Sequence, residues 1–227
     1  FIRTNVLGTQ VVLDACRKQS VERLVVVSTD EVYGSLGTDD PPFTEGSPVC
    51  PRSPYSASKA AGDHLAMAWH HTYGLDVVVT RCSNNFGPWQ FPEKLIPVMI
   101  HKALDHQAMP VYGTGLNVRD WIHVDDHCAG VLAALDKGQA GRIYNFGADA
   151  ERTNLWIVRT ILEILGRPES LISFVEDRAG HDWRYAVDAR RAHEELSWAP
   201  QRALVDALAE TVEWYVEHQQ WWRPLVP

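Results

Sequence analysis

Apolar residues along the chain fall into two kinds of run. Leu24-Val25-Val26-Val27 and Leu75-Asp76-Val77-Val78-Val79-Thr80-Arg81 are dominated by aliphatic residues, the pattern of parallel strands buried on both faces. Between them the spacing predicts a helix from Tyr55 to Tyr73, entered after the breaker Pro54 and stopped at Gly74. An earlier helix, Asn5 to Arg17, carries Val6, Leu7, Val11, Leu13 and Ala15 among polar neighbours. Strand, helix, strand in this order predicts a parallel βαβ unit with a right-handed crossover.

The rest of the chain alternates in the same way. The stretch 34–54 is rich in Gly, Pro, Ser and Asp and reads as a long loop, of a length that usually serves as an active-site cover. Cys82 to Pro92 reads as loop, Lys94 to His106 as helix, and Pro110-Val111-Tyr112 as a short strand before the turn Gly113-Thr114-Gly115. Trp121 to Val124 is a further strand, and Asp125 is placed to cap a helix over 126–135. Arg142 to Gly147 alternates and is expected to return to the main sheet. Helix (Leu155 to Leu165), strand (Leu171 to Val175) and helix (Ala189 to Leu196) follow. The last helix, Leu204 to His218, carries Leu204, Leu208, Val212 and Tyr215 on one face. No internal repeat is present.

Composition narrows the function classes. With 227 residues the chain can bury a real core, and a formal net charge of −8 argues against a nucleic-acid backbone as partner. No apolar run is long enough to span a membrane. Cys16, Cys50, Cys82 and Cys128 are scattered without ligand spacing, as expected of reduced, buried thiols in a cytoplasmic protein. His70-His71 has no ligand pattern around it, so no metal site is expected. Trp214, Trp221 and Trp222 are expected to pack on the final helix, and Trp89 and Trp121 to pack beside the candidate site. The opening Phe1-Ile2-Arg3-Thr4-Asn5 is neither a signal peptide nor an initiator context, so the chain is expected to begin in mid-domain.

The chemistry gathers in two stretches. Thr29, Asp30 and Glu31 follow the first aliphatic run, at the carboxyl end of its strand, where open α/β sheets bind ligands. Tyr55 and Lys59 are four residues apart, on one helix face. A lysine beside a tyrosine favours the phenolate, so this spacing predicts a tyrosine base with a lowered pKa. Adjacent carboxylates at Asp30 and Glu31 can divide acid and base roles if their surroundings separate their pKa values; as a bland alternative they cap the following turn. Asn84 and Asn85 are turn formers or ligand contacts. Lys94, Arg119, Arg178 and His181 are cations suited to a diphosphate, although Arg178 taken alone reads as one half of a surface ion pair.

These stretches carry a resemblance. Tyr55-x-x-x-Lys59 after a strand-end Ser28-Thr29 is similar to the extended short-chain dehydrogenase/reductases, the NAD-dependent epimerase/dehydratase group. Ser28-Thr29-Asp30-Glu31-Val32-Tyr33-Gly34 resembles the dTDP-glucose 4,6-dehydratase family. So do Arg81-Cys82-Ser83-Asn84-Asn85-Phe86-Gly87-Pro88, Phe91-Pro92-Glu93-Lys94-Leu95-Ile96-Pro97, Asn117-Val118-Arg119-Asp120-Trp121 and Asp177-Arg178-Ala179-Gly180-His181-Asp182. Phe86, Ala179 and Trp183 depart locally from the family's usual tyrosine, proline and arginine.

The resemblance implies an α/β fold: a Rossmann-type parallel sheet, its N-terminal portion missing, with a smaller α/β substrate-binding domain. Residues 1–92, with 118–147 returning, would form the NAD-binding part, and 93–117 with 148–227 the nucleotide-sugar part. It implies NAD as cofactor, with Tyr55, Lys59 and Asn85 on that side. It implies Thr29, Asp30, Glu31, Tyr55 and Lys59 as the catalytic set, Glu31 removing the C5 proton and Asp30 protonating the C6 hydroxyl. Substrate contacts would be Thr29, Asn84, Lys94, Leu95, Pro110, Val111, Tyr112, Arg119, Asn154 and the run Asp177, Arg178, Ala179, Gly180, His181. The implied activity is dehydration of a nucleotide glucose toward deoxysugars such as rhamnose, in a cytoplasmic homodimer paired through helices 5–17 and 55–73. Alternatives are another nucleotide-sugar 4,6-dehydratase, a decarboxylase, a 4-epimerase, or an inactive remnant. No Gly-x-x-Gly-x-x-Gly follows an apolar strand, so the chain alone is expected to bind NAD poorly.

Overall fold

The computed structural model describes residues 1–226. Strands β1 (Leu24–Thr29) and β2 (Val77–Cys82) run parallel, Leu24 opposite Val77 and Thr29 opposite Cys82. Strand β6 (Ile143–Phe146) joins parallel on the far side of β2, giving the order β1-β2-β6. The expected return of this segment to the main sheet is thus seen. Burial on both faces holds for β2, whose Val77, Val78 and Val79 are inaccessible, but not for β1. Among the described residues β1 pairs with β2 alone, Val27 is 42% exposed, and the buried residues of β1 are its polar end, Ser28 and Thr29.

The helix that connects β1 to β2 across the long loop is α2 (Pro54–Tyr73), as expected. Its start is defined by a reciprocal cap: Ser53 Oγ accepts from the Ser56 N–H, and the Ser53 N–H donates to Ser56 Oγ, each at 3.0 Å. Gly74 ends it at φ 68°. The first helix starts earlier than the periodicity suggests, with π-helical turns over Ile2–Gly8 leading into α1 (Thr9–Lys18).

Three other segments differ from expectation. The stretch after β2 is not all loop: β3 (Asn84–Phe86) pairs parallel with β5 (Val118–His123), and β5 pairs antiparallel with β7 (Glu151–Thr153). Strands of three residues carry no readable period; their partners supply them. Helix α4 (Val124–Lys137) is capped by the ring of His123, whose Nδ1 accepts the Asp125 N–H at 3.2 Å, rather than by the Asp125 carboxylate. The four cysteines are free, but Cys50 and Cys128 are exposed rather than buried.

The largest apolar cluster joins α3 (Leu95–Leu104), β4 (Met109–Tyr112), α5 (Asn154–Ile164) and α7 (Leu204–Glu217). Leu208, Val212 and Tyr215 bury the α7 face as read from the sequence, and β4 pairs with β8 (Ile172–Val175). The short α8 (Gln219–Trp222) seats Trp222 in this core, its indole N–H donating to the Tyr215 carbonyl at 2.7 Å. Trp121 is buried, and Trp89 packs edge-on to Trp214 and Trp221, with ring centres at 4.9 and 5.1 Å. Helix α6 (Arg190–Leu196) lies against β6. The segment 182–188 crosses back to the long loop, through backbone bridges of Leu36 with Arg184 and Phe43 with Val187. No described helix is long and apolar enough to cross a membrane.

Candidate active site

At the carboxyl end of β1 the chain turns sharply. Thr29, still extended, caps a 3₁₀ turn over Asp30–Tyr33: its Oγ1 accepts the Glu31 N–H and its hydroxyl donates to Asp30 Oδ1, both at 3.3 Å. The capping role thus belongs to Thr29, which leaves both carboxylates available for chemistry. Gly34 closes the turn at φ 94°, and a Cβ there would lie 2.6 Å from the Cys50 carbonyl oxygen, so only glycine fits between the turn and the long loop.

Asp30 is buried, with Oδ2 free of any partner. Burial, then the neighbouring Glu31 and Asp120 carboxylates, push its pKa up to about 8. At neutral pH it is a carboxylic acid. Glu31 is also raised, by burial first, but Arg119, Lys94 and Arg178 pull it back toward the ionised form. Two adjacent carboxyls therefore sit in different fields, which is the condition for dividing acid and base roles.

Tyr55, in the first turn of α2, faces this pair. Its phenol does not have the lowered pKa expected from the Tyr–Lys spacing. Burial raises it to about 12, with Glu31, Cys82 and Asp30 adding in the same direction. Lys59 is not among the groups acting on it. The ammonium instead donates to the Val27 carbonyl at 2.6 Å. Helical spacing put both residues on one face, yet within these residues the lysine bonds the Val27 carbonyl and not the phenol. The Phe1 ring lies edge-on to Tyr55, with centres 5.5 Å apart.

The neighbouring strand ends complete the floor. Cys82 lies opposite Thr29, and Asn85 Nδ2 donates to the Cys82 sulfur at 3.3 Å and the Ser83 carbonyl at 3.1 Å. The Oδ1 atoms of Asn84 and Asn85 are buried without partners, two acceptors left for an incoming polar group.

The opposite wall is cationic. Arg119 is buried over the Tyr185 ring at 4.4 Å and donates to the carbonyls of Val118, Asp182 and Trp183. Arg178 stands over the Tyr112 ring at 5.3 Å and, among the described residues, makes no ion pair, contrary to the surface-pair reading. Lys94 is exposed beside Glu93, at 3.3 Å. His181 Nδ1 meets Asp177 Oδ1 at 2.6 Å while its Nε2 is buried without a partner; Ala179 and Gly180 form the intervening turn, Gly180 at φ 69°. Pro110 and Tyr112 lie along β4, but the side chain of Val111 is in the core and Leu95 packs against it, so their side chains do not form the wall. Asn154 begins α5, its N–H donating to the Asn117 carbonyl at 3.0 Å.

Three groups escaped the sequence reading. Tyr185 donates its hydroxyl to Asp182, which also pairs with Arg52 at 3.2 Å. Asp63 and Arg81 form an ion pair at 2.9 Å, each side chain 3% exposed, and the guanidinium lies 4.7 Å from the centre of the Tyr33 ring. The one available signal was spacing, since Asp63 lies one helical turn beyond Lys59.

Comparison with known proteins gives the family of the chain. The family model described as GDP-mannose 4,6 dehydratase matches residues 1–211. A dTDP-glucose 4,6-dehydratase from Streptomyces griseus is 55% identical over 227 residues, all of this chain and 69% of the relative. The crystal structure of dTDP-glucose 4,6-dehydratase from Bacillus anthracis in complex with NAD superposes with a TM-score of 0.96 at 49% identity, covering 100% of this chain and 72% of that one. DesIV, a dTDP-glucose 4,6-dehydratase from Streptomyces venezuelae solved with NAD and TYD bound, superposes at 0.97 and 50% identity, covering 100% and 70%. The chain belongs to the GDP-mannose 4,6 dehydratase family of extended short-chain dehydrogenase/reductases, with the dTDP-glucose 4,6-dehydratases among its relatives.

Proposed function

We propose that this chain carries the catalytic and nucleotide-sugar-binding portion of an NAD-dependent dTDP-glucose 4,6-dehydratase, a hydro-lyase that forms dTDP-4-keto-6-deoxyglucose. The observation that carries the reading is the turn at the end of β1: Asp30 buried with a partnerless Oδ2, next to Glu31 in the field of Arg119, Lys94 and Arg178. Epimerisation at C4 needs only the tyrosine; loss of water across C5 and C6 needs an acid and a base as well.

When bound, NAD would supply hydride acceptor and donor chemistry between C4 and C6. Tyr55, Lys59 and Asn85 fit its nicotinamide-ribose end, supported by the partnerless Asn85 Oδ1; no glycine-rich loop for its pyrophosphate occurs in these residues. Tyr55 would take the O4 proton, for which its raised pKa must fall in the field of the cationic cofactor ring, and Thr29 would orient that oxygen. Glu31 takes the C5 proton, and Asp30 gives its proton to the departing C6 hydroxyl, which leaves as water. Glu31 returns its proton to C5, and the O4 proton, passed through solvent, restores Asp30. One water is lost and every proton is accounted for.

The same reading gives residues 1–92 and 118–147 to the cofactor side, and 93–117 and 148–227 to the nucleotide sugar. Arg119, Arg178, Lys94 and Asn154 would hold the diphosphate and base end. Exposed Leu7, Val11 and Val12 on the first helix support pairing of two copies through that helix and α2. Four free thiols go with a reducing, cytoplasmic setting.

The test incubates the chain with dTDP-glucose and NAD, alone and fused behind the part of the Streptomyces griseus relative that this chain does not cover. Loss of one water by mass, abolished by Glu31→Gln, is the expected result. A product of unchanged mass, or turnover of UDP- or CDP-glucose alone, would overturn the dTDP-glucose assignment.

A further inference from the structure

The buried ion pair of Asp63 with Arg81 does not touch the space where substrate would lie, yet it meets both halves of the catalytic set. Asp63 is on α2, one turn beyond Lys59 and two beyond Tyr55. Arg81 is on β2, and its Nε donates to Asp63 Oδ2 at 2.9 Å. The central carbon of the same guanidinium stands over the ring of Tyr33, 4.7 Å from its centre, and Tyr33 is the last residue of the turn that bears Asp30 and Glu31. The Tyr33 hydroxyl donates to Asn145 Oδ1 on β6 at 2.8 Å, and Asn145 Nδ2 donates to the Phe43 carbonyl in the long loop at 3.2 Å.

A buried pair of this kind contributes little net stability compared with apolar residues of the same shape, because both ions are desolvated. Its geometry, by contrast, is demanding: a guanidinium that donates to a buried carboxylate while standing over a ring has few arrangements open to it. We propose that Asp63, Arg81 and Tyr33 are positioning residues that set the separation between the Tyr55 helix and the Asp30–Glu31 turn, and so couple oxidation at C4 to elimination across C5 and C6.

The inference rests on the proposed dehydratase for its kinetic consequence only, so its test has two arms. The first uses the chain by itself, labelled with ¹³C at aspartate carboxyls, with the Asp30 signal assigned by Asp30→Asn. Arg81→Lys keeps the charge but loses the guanidinium over Tyr33. A turn freed in this way admits water to Asp30, so its titration near pH 8 is expected to move down by about one unit or more toward the ordinary carboxyl range. Tyr33→Phe keeps ring and packing and loses the Asn145 bond alone; it is expected to move the titration in the same direction by less, and it serves if Arg81→Lys does not fold. Folded variants in which Asp30 titrates where it does in the parent would overturn the proposal.

The second arm uses the fused, NAD-loaded protein. Arg81→Lys is expected to lower kcat about tenfold to a hundredfold with KM little changed, since misplacement near 1 Å has that cost. Exchange of the C5 hydrogen with solvent deuterium should fall with it, while reduced cofactor accumulates. Equal effects on kcat and KM would mark the pair as scaffold and overturn the coupling. A parent that never dehydrates dTDP-glucose would sink the proposed function, and the carboxyl titration would still decide the positioning role.

Discussion

Lys59 Nζ lies 2.6 Å from the Val27 carbonyl oxygen, so the ammonium expected beside the Tyr55 phenol instead ties α2 to β1. The tie stands on the strand that ends in Thr29 and leads into the Asp30–Glu31 turn, so Lys59 links α2 mechanically to that turn. Lys59→Met removes a charge-assisted hydrogen bond at a half-exposed position. A loss of about 1 kcal/mol in urea unfolding is expected, the lower part of the range for such bonds. A variant as stable as the parent would show that the bond adds nothing to folding.

The proposed role of Asp30 makes activity pH-dependent: as the acid for the departing hydroxyl it works protonated, and burial places its pKa at about 8. The kcat profile of the NAD-loaded protein is expected to descend through about that pH. Asp30→Asn should lower kcat by about 10²–10⁴-fold and remove that descending limb.

The same group makes stability pH-dependent, with the opposite sign from an ion-paired carboxylate. Its pKa is 3.8 in the ordinary state and about 8 in the fold. Below 3.8 both states hold the proton and no penalty exists. Between the two values the unfolded chain releases a proton that the folded chain keeps, so Asp30's contribution to stability falls as pH rises, then levels off above 8. Buried Asp63 and Asp120, both raised, act in the same direction. Urea midpoints from pH 4.5 to 8.5 should fall less steeply in Asp30→Asn than in the parent.

Gly34 closes the catalytic turn with φ 94° and has the Cys50 carbonyl 2.6 Å from where a Cβ would sit. Gly34→Ala meets backbone strain and a collision at once, and is expected to cost about 2–4 kcal/mol. Thermal unfolding reads the loss, and repositioning of Asp30 should lower activity beyond what the remaining folded fraction explains.

Thiol reactivity should divide the cysteines. Cys50 and Cys128 are exposed, whereas burial, reinforced by Asp30, pushes the Cys82 thiol up to about 12. An aromatic disulfide reagent is expected to modify Cys50 and Cys128 in the native protein and to reach Cys82 only after denaturant is added. Rapid native modification of Cys82 would contradict the closed floor between Thr29 and Asn85.

The order of elements was legible from periodicity, because β2, α2, α5 and α7 carry long apolar patterns that their own burial requires. Short β3 and β7 were not, since three residues have no period and exist through pairing with β5. The turn of Thr29, Asp30 and Glu31 after an apolar strand, and the four-residue step from Tyr55 to Lys59, are local facts, and the fold puts both where they were expected.

What those groups do to protons is not local. Asp30 is raised by its burial, by Asp120 from β5 and against the pull of Arg119, while Tyr55 is raised where spacing suggested a fall. That Lys59 meets the Val27 carbonyl and not the Tyr55 phenol depends on how α2 lies against β1, which no spacing within the helix specifies. The amino-acid sequence by itself determined which side chains stand at the strand ends, through spacing alone. Only the tertiary structure decided their charge, because burial and field are set by residues distant in the chain and close in space.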